Sequence, residues 1–238
     1  MNKITSVAAA AAIVAGGAWY LQSSGPETSG MTPFAPAQAQ EADTEAQAEG
    51  EGEGEGEGET VEIQEMSLGN PDADVQVIEY ASFTCPHCAN FAETVYPELK
   101  SNYIDSGQIE FINREVYFDR YGLWAGMVAR CDPDKYFGIA DLIYEKQREW
   151  TQGEPAEIAE NLKRLGKTAG LSEEQLDSCL SDGAKAEALY ATFQENAEAD
   201  DVTSTPTFII NGEKYSNMGY DEFSSILDEK LAETDEEG

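Results

Sequence analysis

Basic residues are scarce in this chain, and the shortage limits its partners. The 238 residues include 14 Lys and Arg against 47 Asp and Glu, which gives a formal net charge of -33. A surface this acidic repels the phosphates of nucleic acids and of anionic membranes. The composition therefore argues against nucleic acid and anionic lipid surfaces as partners.

Metal-ligating side chains are also few. Cys85 and Cys88 share the pentapeptide TCPHC with the one histidine, His87, whereas the other two cysteines, Cys131 and Cys179, are isolated. A zinc site built on a Cys-x-x-Cys pair needs a second pair of ligands, and the sequence offers none. We therefore expect no metal, and a metal-binding protein is the weakest of the functions considered.

The N-terminal region lacks the mixture of apolar and polar residues that a folded core needs. Residues 2–22, NKITSVAAAAAIVAGGAWYLQ, contain one charged side chain, Lys3, followed by an uncharged stretch rich in Ala, Val and Ile. This pattern predicts an export segment at 1–22, and both a cleaved signal peptide and a retained membrane anchor fit it. Residues 23–60 contain no Lys or Arg and end in alternating Glu and Gly, which predicts a disordered acidic linker.

Hydrophobic periodicity from residue 61 onward predicts one α/β domain at 61–234, with 235–238 as a frayed acidic tail. Strands are expected at 61–66, 75–83 and 109–118, and an amphipathic helix that kinks at Pro97 follows the second strand. Four or five helices are expected at about 119–200. A hairpin turning at Asn211-Gly212 and a last helix complete the order.

The placement of the CPHC motif favours redox chemistry over a structural role. A strand followed directly by CPHC and a helix puts Cys85 at a helix N-terminus, with Pro86 at the first helical position. Free amides and the positive end of the helix dipole lower the pKa of a thiol there, and His87 adds a donor or a positive charge. A structural disulfide across so short a loop would constrain the unfolded chain little. We therefore expect Cys85 to be the reactive thiol and Cys88 the resolving thiol.

The segments EYASFTCPHC and STPTF, with the helical block between them, resemble the DsbA family of thiol:disulfide oxidoreductases. The resemblance covers about residues 60–234 and implies a thioredoxin-like fold with an inserted all-helical subdomain. It implies that Pro206 is cis and lies against the active-site disulfide, which leaves the Thr205 backbone free to pair with an extended client peptide. The redox-active Cys85–Cys88 disulfide is then the only redox group, and no separate cofactor is expected.

Glu79 lies in the middle of an apolar strand and matches a buried acid beneath the family's active site. Such an acid can exchange protons with Cys88, and the alternative is a glutamate that points to an edge of the sheet. Where family members carry a buried lysine partner on the next strand, this chain offers Asn113 and Arg114 as candidates.

The remaining cysteines, Cys131 and Cys179, both fall on predicted helices of the insertion. In an oxidising compartment we expect them to form a structural disulfide that staples the insertion, and a second redox relay is the alternative.

These features together lead to the main hypothesis, an exported, monomeric thiol oxidase in the periplasm or another extracytoplasmic space. It would donate its Cys85–Cys88 disulfide to unfolded or reduced exported proteins. The resemblance implies reoxidation by a DsbB-like, quinone-linked membrane partner. The alternatives are a disulfide reductase or isomerase of the same fold and a non-catalytic module that binds peptides at Thr205 and Pro206.

Overall fold

The computed structural model describes residues 61–237, so the predicted export segment (1–22) and acidic linker (23–60) lie outside the described residues. Among the helices of residues 61–237, none combines the length and hydropathy that a membrane span requires. The strands are β1 (Met66–Gly69), β2 (Val75–Ala81), β3 (Ile109–Glu115), β4 (Thr207–Ile210) and β5 (Glu213–Ser216). The α-helices are α1 (Pro86–Thr94), α2 (Tyr96–Leu99), α3 (Arg120–Ala129), α4 (Tyr136–Glu145), α5 (Gln147–Trp150), α6 (Pro155–Thr168), α7 (Glu173–Leu180), α8 (Gly183–Ala199) and α9 (Tyr220–Glu237).

The strands form one mixed sheet in the order β1-β3-β2-β4-β5. β2 and β3 are parallel, and the other neighbours are antiparallel. β2 is central, and every residue of it except Gln76 is buried, which agrees with its nearly continuous apolar sequence. The arrangement confirms the predicted α/β, thioredoxin-like architecture with a helical insertion between β3 and β4.

Helices cover both faces of this sheet. One face packs against α1 and α9 through an apolar cluster that includes Val77, Phe91, Phe111, Phe208 and Phe223. The opposite face packs against α8 through a smaller cluster that includes Ile78, Tyr80, Ile112, Ile209 and Phe193. The active-site end of β2 is thereby fixed between two packed layers.

The first strand lies later than predicted. The sequence predicts it at 61–66, but pairing with β3 begins at Met66, which lies opposite Asn113. Just before Met66 the backbone makes a hydrogen bond to a side chain and not to a neighbouring strand. Arg130 Nη1 donates to the Gln64 carbonyl oxygen at 2.7 Å. The periodicity of this segment was therefore a poor guide to where the ladder begins.

β2 and β3 both end short of the predicted ranges 75–83 and 109–118. After β2 the chain turns at once, since the Cys85 amide donates to the Ser82 carbonyl at 3.0 Å. After β3 it leaves the sheet toward the N-cap of α3. At the other end of the domain α9 runs through residues 235–237, which were predicted to fray, because the helix contains no glycine or proline that would stop it.

The kink predicted at Pro97 is confirmed. α1 ends at Thr94, and α2 begins at Tyr96 and continues as a π-helical turn over Lys100–Ile104. Proline lacks an N–H and crowds the carbonyl four residues earlier, so the regular hydrogen-bond ladder cannot pass through it.

The insertion contains five helices of eight residues or more and the four-residue α5. Its aromatic side chains form core: Tyr136, Tyr144 and Trp150 are buried, and Trp124 and Phe137 are half-buried at the margin. The same cluster includes Cys88, so the interior of the insertion continues into the active site.

A buried ion pair joins the insertion to the sheet. Arg130 at the end of α3 donates from Nε and Nη2 to the two carboxylate oxygens of Glu115, each at 2.6 Å. Lys185 of α8 donates to the Arg130 carbonyl at 2.7 Å. A bidentate pair with further partners is the geometry that offsets the desolvation of two buried charges.

The two isolated cysteines are joined by a disulfide. Cys131 follows α3, Cys179 lies in α7, and their Cα atoms are 5.7 Å apart across a sequence separation of 48. The bond links two helices of the insertion, far along the chain from the CPHC motif.

We expect replacement of both Cys131 and Cys179 by alanine to lower the free energy of unfolding by about 2 to 4 kcal/mol, because the unfolded chain regains loop entropy. Urea unfolding measures the change, with Ser178→Ala on the same helix as the matched control. The rate of thiol–disulfide exchange per folded molecule should stay at the wild-type value. A normal unfolding midpoint combined with slow turnover would instead indicate a redox relay.

Candidate active site

The CPHC motif forms the first turn of α1. Cys85 is the N-cap residue, with extended backbone angles (φ -85, ψ 120), and Pro86 is the first helical residue. Pro86 and His87 are exposed, Cys85 is half-buried, and Cys88 is fully buried. Both thiols are free, so the structure describes the reduced form.

The environment of Cys85 favours its thiolate. A hydrogen bond from the Cys88 thiol, helped by the backbone amides of Cys88 and His87, lowers the pKa of Cys85 to about 5, although partial burial opposes the shift. These amides are the unpaired donors at the start of α1. Cys85 is therefore ionised at neutral pH and is a good leaving group.

The environment of Cys88 favours its neutral thiol. Its hydrogen bond to Cys85, its burial and the nearby charge of Glu79 raise the pKa of Cys88. The Ser82 amide donates to the Cys88 sulfur at 3.5 Å. The pair thus carries one negative charge on the half-buried sulfur of Cys85 and one proton on the buried sulfur of Cys88.

Glu79 lies within the protein, and the interpretation that it points to an edge of the sheet is wrong. The residue is 5% exposed and accepts a hydrogen bond from Asn113 Nδ2 at 3.0 Å. The Tyr136 hydroxyl donates in turn to Asn113 Oδ1 at 2.7 Å. Burial raises the pKa of Glu79 to about 8, against the opposing hydrogen bond from Asn113.

Of the two candidates for the partner of Glu79, the structure selects Asn113. Asn113 and Glu79 are directly opposite in the parallel β2–β3 pair, so their side chains share a face of the sheet. Arg114 lies on the other face, where it contacts the Tyr80 hydroxyl at 2.8 Å and Asp200 at 3.3 Å. The partner of Glu79 is therefore the neutral amide of Asn113 and not a buried cation such as the lysine that family members carry.

The Thr205–Pro206 peptide bond is cis, and its loop contacts the reactive sulfur. Cys85 Sγ lies 3.5 Å from the Thr205 carbonyl oxygen, and Pro206 is buried immediately before β4. Within residues 61–237 the Thr205 amide donates no hydrogen bond. The structure thus brings together Cys85, Cys88 and the Thr205-Pro206 loop, as the family resemblance implied.

Sequence reasoning missed Gln147. This buried side chain of α5 donates from Nε2 to the carbonyls of Phe83 at 2.8 Å and Cys85 at 2.9 Å. One signal was present, because Gln147 interrupts the apolar stripe between Ile143 and Trp150 at helical spacing.

Aromatic side chains also lie beside the active-site turn. We use the term aromatic rim for Phe118, Tyr121 and Trp124. Phe118 is 60% exposed, and the Arg120 guanidinium stacks over Tyr121 and Trp124 at 5.0 and 5.8 Å from the ring centroids. The rim is held against the active-site turn, because Thr84 Oγ1 donates to Asp119 Oδ2 at 2.9 Å.

Metal-ligating side chains are not clustered in the described part of the chain. No group of three or more His, Cys, Asp or Glu side chains there has the geometry to hold a metal ion.

The sequence matches known proteins over the folded region. The family model described as Thioredoxin matches residues 61–229. A protein of Rickettsia bellii named as a protein-disulfide oxidoreductase is 33% identical over 176 residues, which cover 73% of this chain and 67% of the relative. Disulfide bond formation protein D of Bacillus subtilis is 28% identical over 182 residues, covering 69% and 76% of the two chains. The chain thus spans about two thirds of the length of the rickettsial relative.

Solved structures agree with these matches. The crystal structure of Wolbachia pipientis α-DsbA1 has a TM-score of 0.67 and 25% identity, and the match covers 71% of this chain and 92% of that chain. Oxidised BdbD from Bacillus subtilis, with a TM-score of 0.63 and 23% identity over 71% of this chain and 93% of its own, shares the fold.

Proposed function

Because the chain belongs to the DsbA-type protein-disulfide oxidoreductases of the thioredoxin family, we propose that it acts in the oxidising direction. It donates the Cys85–Cys88 disulfide to reduced client proteins during their oxidative folding.

The observation that carries this proposal is the opposite ionisation of the two thiols. Reduction of the disulfide creates a Cys85 thiolate whose pKa is lowered to about 5, chiefly by its hydrogen bond with Cys88. The disulfide form has no corresponding charge, so the interaction stabilises the reduced protein alone. This stabilisation is complete above the unfolded pKa of the thiol and is lost as the pH falls through about 5. A pair whose reduced form is stabilised in this way gives up its disulfide readily.

The reaction proceeds through a mixed disulfide. A client thiolate attacks Cys85 Sγ, a new sulfur–sulfur bond forms, and the Cys85–Cys88 bond breaks with its electron pair on Cys88. A second client thiolate then attacks the client sulfur of the mixed disulfide, and Cys85 leaves as a thiolate. The client loses two electrons and gains one disulfide, and the oxidoreductase gains those two electrons.

Glu79 supplies the proton that Cys88 needs when it leaves. Its pKa of about 8, raised mainly by burial, keeps its carboxyl protonated at neutral pH. Cys88 is buried and its neutral thiol is favoured, so its thiolate would be costly without a nearby acid. Glu79 regains its proton from solvent after transfer, and its carboxylate acts as the base when the reaction runs in reverse.

The client binds as an extended peptide along the Thr205-Pro206 loop, where the free Thr205 amide offers a backbone donor. The exposed Phe118 of the aromatic rim, which lies next to the Asp119 that binds Thr84 of the active-site turn, supplies apolar contact. An unfolded chain presents both extended backbone and apolar side chains, which suits such a surface.

We place the reaction outside the cytoplasm, with a monomer oxidising unfolded exported proteins. The export-like N-terminus and the disulfide between Cys131 and Cys179 support an oxidising compartment. Turnover then requires a reoxidant, and a DsbB-like, quinone-linked membrane protein fits the family.

A single-turnover experiment with oxidised full-length protein tests the proposed function. A reduced, unfolded client with two cysteines is mixed with an equal amount of protein under anaerobic conditions, and free thiols on both are counted. We expect the client to lose two thiols and the protein to gain two. Client binding without any change in thiol counts would indicate a peptide-binding module. If oxidised protein fails to oxidise the client but reduced protein reduces a client disulfide in a parallel mixture, the protein is a reductase.

A further inference from the structure

Gln147 contacts the active-site turn from a different part of the fold. Its Nε2 atom lies 2.8 Å from the Phe83 carbonyl oxygen and 2.9 Å from the Cys85 carbonyl oxygen. Both amide hydrogens are therefore used on the two carbonyls that flank Thr84. The side chain is buried at the junction of the helical insertion and the end of β2.

These bonds fix the backbone that aims α1 at the reactive sulfur. The Cys85 carbonyl also accepts from the Ala89 amide at 3.2 Å, which is the first hydrogen bond of α1. Within the turn itself, the Cys85 amide donates to the Ser82 carbonyl at 3.0 Å. The turn is thus held by its own backbone on one side and by Gln147 on the other, and its shape determines where the first amides of α1 point.

The residue type fits this task. A neutral amide places two donors on one nitrogen, which matches two carbonyls without adding a charge to a buried site. A carboxylate of the same size can only accept, and it would repel both carbonyls. A lysine would bring a buried charge without a counter-ion.

The position of Gln147 is itself fixed by packing. Ile143 and Trp150, on the same stripe, are 0% and 1% exposed. Trp150 Nε1 donates to the Ile143 carbonyl at 2.9 Å, which holds α4 and α5 together. The insertion therefore presents the amide to the turn from a rigid base.

We propose that Gln147 is a positioning residue that sets the reactivity of Cys85 by holding the carbonyls on both sides of the active-site turn. It deepens the proposed function, because it links the helical insertion to the thiol chemistry. Without Gln147 the turn relaxes, and the amides of His87 and Cys88 no longer converge on the sulfur of Cys85.

Gln147→Met, which keeps the length of the side chain and removes both donors, tests this role. The reduced full-length protein is alkylated with iodoacetamide at a series of pH values, and labelling of Cys85 is followed by mass spectrometry. We expect the midpoint of labelling to rise by one pH unit or more. The equilibrium with glutathione should shift about tenfold toward the oxidised protein for each such unit.

Two further variants complete the test. Glutamate has nearly the same volume as glutamine, so Gln147→Glu provides a second folded variant. Its negative charge should raise the labelling midpoint of Cys85 further than Gln147→Met does. Gln152→Met, an exposed glutamine two residues beyond α5, is the matched control and should label as the wild type does.

A merely structural role predicts a different result. It would lower the unfolding midpoint of the Gln147 variants and leave the alkylation midpoint and the glutathione equilibrium of the folded molecules unchanged, and that result would overturn the proposal. The alkylation readout does not depend on the direction of electron flow. A protein that proved to be a reductase would therefore refute the proposed function without affecting this test.

Discussion

Replacing Cys85 with serine should abolish client oxidation, whereas replacing Cys88 with serine should trap a disulfide-containing client in a stable mixed disulfide. Cys85 carries the accessible, ionised sulfur, and no other thiol of the CPHC motif is accessible to a client. Cys88 is buried, and its role is to leave from the Cys85–Cys88 disulfide in the oxidising direction or to attack the mixed disulfide in the reverse direction. Cys88→Ser has no disulfide to donate, but its Cys85 thiolate can still attack a client disulfide, expelling one client thiolate. The mixed disulfide that forms then persists, because no Cys88 thiol is present to resolve it.

The measurement is the rate of thiol loss from a reduced client, together with non-reducing gels of each variant mixed with a disulfide-containing client. The double alanine variant at Cys131 and Cys179 is the control and should form no trapped complex. Full function in Cys85→Ser would contradict the mechanism and favour a peptide-binding module.

Replacing Glu79 with glutamine should slow client oxidation on the order of 100-fold at neutral pH, the usual scale for loss of a positioned proton donor. Glutamine keeps the shape of the side chain but has no transferable proton. The wild-type rate constant per client thiolate should fall as the pH rises through about 8, because Glu79 then loses its proton and its charge opposes a thiolate on Cys88. The variant should show no such inflection.

Stopped-flow oxidation of a cysteine peptide between pH 5 and 9.5 measures these profiles, and the exposed Glu98→Gln is the matched control. The same substitution should change stability in a defined direction. The pKa of Glu79 is raised from 4.5 to about 8, so wild-type stability is lost as the pH rises through that interval. The variant should therefore gain stability relative to the wild type above pH 8. Identical pH profiles for the two proteins would exclude Glu79 as the proton donor.

The parts of the fold that the sequence predicted well depend on local chemistry. A proline at the first helical position marks the start of α1, and Asn211 and Gly212 adopt the positive φ angles of 45 and 84 that a tight hairpin turn requires. Both signals act within a few residues, so they do not depend on where the rest of the chain lies.

The parts that were missed depend on where distant segments meet. Gln147 contacts the active-site turn only because α5 packs against it, and no local motif specifies that contact. The choice of Asn113 over Arg114 follows from the register of β3 against β2, which a slip of one residue would reverse. Periodicity in 109–118 indicated a strand, but it could not indicate which of its faces would lie beneath Cys88.

The equilibrium of the full-length protein with glutathione redox buffers tests the central claim most directly. The oxidised and reduced forms of the Cys85–Cys88 pair are quantified by alkylation and mass spectrometry. We expect the pair to be substantially more oxidising than glutathione, because the Cys85 thiolate stabilises the reduced protein. A potential near that of thioredoxin, about -270 mV, would contradict the account and would mean that the pair is built to reduce disulfides.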